Sequence, residues 1–408
     1  MKVALIDPSL FTWPYDRALA GGMDELGMDV RIYGRALPAQ DPRNDDPLFV
    51  PHFYGSLASP LLAKLPRAAT RAWKGFSHIG DMRRLADALA EWRPDAIHFQ
   101  WLPLPVVDQR FLARFRRIAP LLLTVHDTLP FNGNAGSSLQ NVGAKDVWSA
   151  FERLIVHTHQ GKERLREQGI ASSRIERIAH GLLNESLLNE SQTAPSQPAA
   201  SDAPVDFLLF GQIKPYKGID VAIRAYARLD QSVRARCRLR IVGKPYMDTA
   251  PLIELARSLG VEDQVLFDFR FVPDGEMAEM LARADALLFP YREIEASGVL
   301  MAAIAHGRPL IASRLGAFGE LIKDGENGFL VEPGDDRALA AAMSLMILQP
   351  ERREIMAEGM TRLRQSIPSW REIARQTAGI YRELAASPTA DWTPAAASLP
   401  AGERSHAA

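Results

Sequence analysis

Short runs rich in Val, Ile, Leu and Phe recur along the chain, separated by longer segments in which apolar residues return every three or four positions. Such runs read as buried strands and the segments between them as amphipathic helices, so the alternation predicts parallel βαβ units and an α/β fold. In the first half the strands fall at residues 2–7, 29–33, 96–100, 121–126 and 153–158. The pattern then restarts, with six more at 206–211, 238–243, 265–269, 286–290, 309–313 and 328–332. Each half predicts its own doubly wound sheet, and two such sheets face their strand ends across one cleft. Between them, residues 184–205 are rich in Ser, Pro, Ala and Asn and read as a flexible linker. The expected domains are therefore 1–183 and 206–368, followed by a helix at 369–387 free to pack back on the first domain. Residues 388–408 are Pro-rich and without period, and read as a disordered tail.

Composition narrows the classes. A chain of 408 residues is long enough for two domains, and 47% apolar with 24% charged residues excludes disordered, collagenous and coiled-coil proteins. Lys and Arg (48) balance Asp and Glu (49), so no overall field favours nucleic acid. The single cysteine, Cys237, excludes a disulfide framework and a thiolate metal cluster, and fits a reducing cytoplasm. The start MKVALIDPSL lacks the character of a signal peptide, and no apolar run reaches the length of a membrane span. No GxSxG, HExxH or Walker A sequence is present, and Gly21 and Gly22 lie within continuing helical period.

Three clusters can carry chemistry. FGQIKPYKG (210–218) follows a strand with Gly211 and delivers Lys214 and Lys217 close to a helix start. Ammonium groups beside free backbone N–H groups suit a diphosphate, although a tight turn with two solvated lysines fits the same pattern. PYREIEASGVLMAAIAHGRP (290–309) carries Glu293 and Glu295 in a loop, then Ser297, Gly298 and Val299 at a helix start. Small residues there let backbone N–H groups approach phosphate, and Ser297 equally suits an ordinary helix cap. In LLLTVHDTLP (121–130), His126 and Asp127 follow a strand, where a histidine faces the cleft and can meet a substrate hydroxyl or stand as a satisfied loop residue. His98, His157, His159 and His180 show no metal-ligand spacing and read as structural.

Taken together, in order and spacing, these motifs resemble the retaining glycosyltransferases of family 4, whose fold, GT-B, pairs two Rossmann-like domains. The resemblance covers nearly the whole chain. It implies a UDP- or GDP-sugar donor held mostly by the second domain, no metal and no cofactor, and a glycan or lipid-linked acceptor on the first. Carried over by position, Gly211, Lys217 and Gly218 hold the diphosphate, and Lys214 replaces the family's arginine, whose place is Gln212. His126 becomes the histidine near the reacting sugar, and His126, Lys217 and Glu295 the catalytic set. The family often has two glutamates eight positions apart, and those positions are Ile294 and Ala302 here, so the sugar contact passes to Glu295 or Glu293. Asp16, Trp101 and Asp127 are positional candidates for the acceptor side. A non-catalytic sugar-nucleotide binder and a nucleotide-sugar epimerase of the same fold remain as alternatives.

A last feature concerns location. Residues 47–80 contain no acidic side chain, and Lys64, Arg67, Arg71 and Lys74 recur at helical spacing with Trp73 and Phe76 nearby. A basic, Trp-containing amphipathic segment suits an anionic membrane surface, here the inner face, or equally a solvated basic helix face.

Overall fold

The computed structural model describes residues 1–55, 67–128, 147–183 and 203–386, with the side chains of 67–72 and 274 left aside. Most of the linker, the tail, Lys64 and the side chains of Arg67 and Arg71 therefore lie outside the described residues. Two all-parallel sheets are present. The first has the order β3-β2-β1-β4-β5-β6-β7, with β1 (Lys2–Asp7), β2 (Asp29–Arg35), β3 (Phe49–Phe53), β4 (Ala96–Phe99), β5 (Leu121–Thr124), β6 (Arg153–Val156) and β7 (Ile175–Arg177). Its helices include α1 (Trp13–Asp24), α2 (Arg67–Trp92), α3 (Pro105–Arg116) and α4 (His159–Glu167). The second has the order β10-β9-β8-β11-β12-β13, with β8 (Val205–Phe210), β9 (Cys237–Val242), β10 (Val265–Asp268), β11 (Ala286–Phe289), β12 (Leu310–Ser313) and β13 (Gly328–Val331). Strands β4, β5, β8, β11, β12 and β13 are buried at every position, as a sheet covered on both faces requires.

Two strands lay outside the expected set. β3 contains Pro51, which suits only an edge position, and β7 has three residues, too few to show a period. The other strands differ from expectation by a residue or two at their ends. The last residues of 121–126 and 153–158 leave the sheet, which puts His126 and His157 in loops above it.

Both sheets reverse their strand order beside their first strand, between β1 and β4 and between β8 and β11. A crevice opens at such a switch point beyond the strand ends, and the loops after these four strands meet there. Helices α5 (Ile219–Arg228), α6 (Ala250–Ser258), α7 (Asp274–Arg283), α8 (Gly298–Ala305), α9 (Gly316–Leu321), α10 (Asp336–Leu348) and α11 (Pro350–Ser366) cover the second sheet. The final helix, α12 (Trp370–Ala386), returns to the first domain and packs along α1. A Cβ on Gly22 would lie 2.4 Å from the Trp370 carbonyl oxygen, so the glycine in α1 permits this close crossing. Tyr381 of α12 reaches the first sheet itself, its hydroxyl 2.7 Å from His98 Nδ1.

Candidate active site

The second-domain wall is built by backbone conformation. After β8, Gly211 turns the chain with φ 123°, and a Cβ there would lie 2.9 Å from Lys217 Nζ. The missing side chain makes room for Lys217, which is only 4% exposed, donates to the Tyr291 hydroxyl, and lies 4.4 Å above that ring. Burial, reinforced by the Lys214 ammonium, pushes Lys217 down to about 7. Gly218 closes the turn at φ 63°, and a Cβ there would stand 1.9 Å from the Pro290 carbonyl oxygen. The loops after β8 and β11 are thus pressed together. Ser297 Oγ accepts from the Leu300 amide at 3.3 Å and caps α8, leaving Gly298 exposed to the cleft at the helix start. Lys214 also lines the cleft, and burial lowers its ionisation while Asp127, across the gap, opposes the shift.

The first-domain wall is assembled from side chains far apart in sequence. Asp7 at the end of β1 and Asp16 in α1 are both fully buried and share the Thr12 hydroxyl. Burial pushes both carboxyls up; the Asp7 charge pushes Asp16 further in the same direction, whereas hydrogen bonds from Thr12, Ser9 and Asp16 draw Asp7 part of the way back. Asp7 also accepts from the Ser9 amide at 3.0 Å and the Thr12 amide at 2.9 Å, which fixes the loop carrying Phe11. Phe11 stacks on Trp101, ring centres 4.7 Å apart, to make an aromatic platform in the cleft. Opposite lies Tyr54, whose hydroxyl is 2.9 Å from His78 Nδ1, with Lys74 Nζ 4.7 Å from its ring. His126 and Asp127 follow β5 into the same cleft, and His180 joins them.

One contact ties the walls together. Glu295 is 2% exposed and accepts from the Thr128 amide at 2.8 Å and from the Thr128 hydroxyl. Arg164 of α4 stands 3.8 Å from the same carboxylate. Gly161 makes the space, since a Cβ there would lie 2.0 Å from Glu295 Oε1. A second bridge runs from the Gln160 amide to Glu320 at 3.1 Å. The cleft enclosed between the walls measures about 780 Å³, large enough for a nucleotide-sized ligand with a second molecule beside it.

Two family models match the chain, "Glycosyl transferase 4-like domain" over residues 12–181 and "Glycosyl transferases group 1" over 191–362. The chain belongs to the family 4-type glycosyltransferases. A D-inositol 3-phosphate glycosyltransferase of Saccharomonospora viridis is 28% identical over 297 residues, 68% of each chain. Among solved structures, sucrose-phosphate synthase of Thermosynechococcus elongatus superposes with a TM-score of 0.72 at 19% identity, covering 94% of this chain and 99% of that one. Anabaena HepE, solved with UDP-glucose, gives a TM-score of 0.70 at 17% identity over 94% and 100% of the two chains. These neighbours share the two-domain GT-B fold.

Within this glycosyltransferase, the expected site residues divide into three groups. His126, Asp127, Trp101, Lys214, Glu293, Ser297 and Gly298 line the cleft. Gly211, Lys217, Gly218 and Val299 form the layer behind the second-domain wall, where Val299 packs by Gly211. Two expectations are corrected. Asp16 is fully buried under the β1–α1 loop and shapes it from below, because its carboxyl turns to Thr12 and Asp7 instead of the cleft. Glu295 does not line the cleft; its carboxylate is consumed by Thr128 at the domain junction. Ala302 lies within α8 and is 2% exposed, packed into the core, while Ile294 lines the cleft.

Sequence reasoning also missed residues of this glycosyltransferase site. His157 and His180, expected to be structural only, stand against His126 around the Tyr15 ring, with centroids 4.7 Å to 5.1 Å from it. Their positions just beyond β6 and β7 were the available signal. Lys74, expected on a basic outer stripe, turns over Tyr54 into the cleft, whereas Trp73 and Phe76 are exposed. Among the described residues no helix is long and apolar enough to cross a membrane.

Proposed function

We propose that this glycosyltransferase moves a hexosyl unit from a UDP- or GDP-sugar to a glycan or lipid-linked acceptor, with retention at the anomeric carbon, in surface or exopolysaccharide biosynthesis. The observation that carries the reading is the asymmetry of the cleft. One wall gathers Lys214, Lys217 and the start of α8 where a diphosphate can lie, and the other offers an aromatic platform and His126 where a sugar hydroxyl can lie. The UDP and UDP-glucose bound in structures of Anabaena HepE support the donor class.

In this reading the bond from C1 to the diphosphate oxygen breaks while a bond from C1 to the acceptor oxygen forms on the same face. The acceptor's hydroxyl proton passes to the departing diphosphate. Lys214, Lys217 and the α8 amides stabilise the charge that collects there, and His126 orients the sugar; no metal ion or cofactor is called for. Exposed Trp73 and Phe76, close in sequence to the cleft residues Lys74 and Gly75, support an acceptor presented at the inner membrane face.

The test combines thermal shifts with UDP-, GDP- and ADP-sugars and an assay of the released nucleoside diphosphate. A transferase releases the nucleoside diphosphate of its preferred donor, slowly alone and faster with acceptor. Stabilisation by a nucleotide sugar with no release would favour a binding protein, and release of an isomerised sugar an epimerase. In the same assay His126→Ala is expected to lose turnover and keep nucleotide affinity by calorimetry.

A further inference from the structure

Strands β5 and β6 end side by side, and each is followed by a histidine: His126, two positions beyond β5, lines the cleft, and His157, one position beyond β6, is buried behind it. The hydrogen bonds around this pair leave little freedom for their protons. His157 Nδ1 lies 3.0 Å from the Ile178 carbonyl oxygen. A carbonyl only accepts, so Nδ1 carries a proton. Burial keeps this imidazole neutral, pushing it down to about 3, so its Nε2 is bare. That bare nitrogen stands 3.4 Å from His126 Nδ1. A hydrogen bond between the rings therefore requires the proton on His126 Nδ1. Burial, helped by the neighbouring imidazoles, also holds His126 neutral, and its Nε2 is left with a lone pair.

An independent observation closes the chain. The Gln100 amide oxygen is 3.3 Å from His126 Nε2, and the buried Gln100 amide nitrogen has no hydrogen-bond partner. A half-turn of this amide, which exchanges two atoms of nearly equal size, sets the NH2 against the bare Nε2, so the buried donor gains an acceptor and the amide oxygen takes the position the nitrogen held. The opposite tautomer of His126 would leave two bare nitrogens facing one another. The ring planes are fixed from outside by Tyr15, edge-on to His126 at 4.7 Å, and Tyr15 is in turn packed by Trp370 at 5.1 Å.

We propose that His157 is a positioning residue: backed by the Ile178 carbonyl, it locks His126 in the Nδ1–H tautomer and presents Nε2 to the cleft as a hydrogen-bond acceptor. A sugar hydroxyl then donates to His126, displacing the long Gln100 contact, and does not receive a proton from it. The role rests on the reading that His126 meets the reacting sugar; the tautomer itself does not.

The first measurement is the tautomer, from long-range 1H–15N spectra of the full chain carrying 15N-histidine, with His126 assigned by its loss in His126→Gln. A proton on Nδ1 is expected, and a proton on Nε2 overturns the proposal whatever the activity. The second compares two variants using whichever of UDP-glucose, UDP-N-acetylglucosamine and GDP-mannose the wild type hydrolyses fastest. His157→Phe keeps the ring packing and removes the acceptor nitrogen, so kcat should fall at least about tenfold with UDP or GDP affinity held within about twofold. His157→Gln keeps an acceptor for His126 and a donor for Ile178, and should recover most of the rate. Equal loss in both variants, or a parallel loss of nucleotide affinity, reduces His157 to packing and overturns its role. Full turnover in His126→Ala would refute the functional reading while leaving the tautomer result intact.

Discussion

The two walls of the cleft are made in opposite ways. The second-domain wall comes from two continuous stretches, 210–218 and 290–309, and depends on backbone: glycines at positive φ, a buried lysine in the space they leave, and a capped helix start. The first-domain wall draws on Asp7, Phe11, Tyr15, Gln100, Trp101, His126, His157, His180 and even Trp370, which meet only when seven strands and the final helix are in place. A wall of backbone turns suits one invariant chemical group, whereas a wall of side chains can be recomposed piece by piece. The contrast matches a donor diphosphate on one side and a variable acceptor on the other.

The sharpest way to break this comparison is at Lys217. Lys217→Ala removes the one fully enclosed cation of the backbone-built wall, and turnover should fall at least about a hundredfold at saturating donor. Lys214→Ala should cost less. Wild-type turnover in the Lys217 variant would show that the enclosed ammonium is not where charge develops.

The next effect separates the walls by acid. Burial pushes His98 and His157 down to about 3, so both are neutral when folded and take up protons when unfolded. A lowered histidine adds stability above its unfolded value near 6.5 and loses it as pH falls toward the folded value. Each therefore takes away up to about 2 kcal/mol between pH 6.5 and 5, a factor of about thirty in the folding equilibrium. The tryptophans at 13, 73, 92, 101, 148, 370 and 392 leave none between 206 and 368, so the intrinsic fluorescence that responds to folding of a domain core reads the first domain and α12, with Trp392 beyond that helix as a background. Its urea midpoint should drop across this window, and an unchanged midpoint would count against buried neutral histidines.

Smaller again is the junction. Gly161→Ala sets a methyl 2.0 Å from Glu295 Oε1 within a helix that otherwise welcomes alanine. The local helix should be no less stable, while a carboxylate forced off Thr128 should lower turnover by roughly tenfold through misplaced walls. A fall in thermal stability with full turnover would place the role of Glu295 in folding. The smallest effect is a proton. With Lys217 pushed down to about 7, a nucleotide sugar that binds its ammonium should draw in part of one proton near pH 7.5 and bind more weakly as pH rises. Calorimetry in buffers of different ionisation enthalpy measures that uptake, which should vanish in Lys217→Met.

The same contrast explains what could be read in advance. Both sheets were visible because buried strands impose continuous apolar runs, and the second-domain wall was visible because Lys214, Lys217, Ser297 and Gly298 stand next to the turns that use them. Asp16 looked like a surface acceptor contact because nothing in its own segment reveals that Asp7 and Thr12 enclose it. His157 and His180 looked inert because a relation between residues at the ends of neighbouring strands has no spacing in the chain. Glu295 was placed correctly in its loop and wrongly in the cleft, since the group that captures it, Thr128, belongs to the other domain.

The return of α12 has a consequence for how the protein is made. Trp370 packs on Tyr15 beneath the histidines, and Tyr381 bonds His98 in the centre of the first sheet. The ribosome releases the first domain's strands early, yet the segment that completes its core emerges only after the whole second domain has been translated. Domains fold in the order in which their parts become available, so the domain synthesised second can finish first. The nascent first domain must wait with Tyr15, Ala374-facing apolar surface and three histidines uncovered, which makes it the half of the nascent chain that a chaperone would be expected to hold.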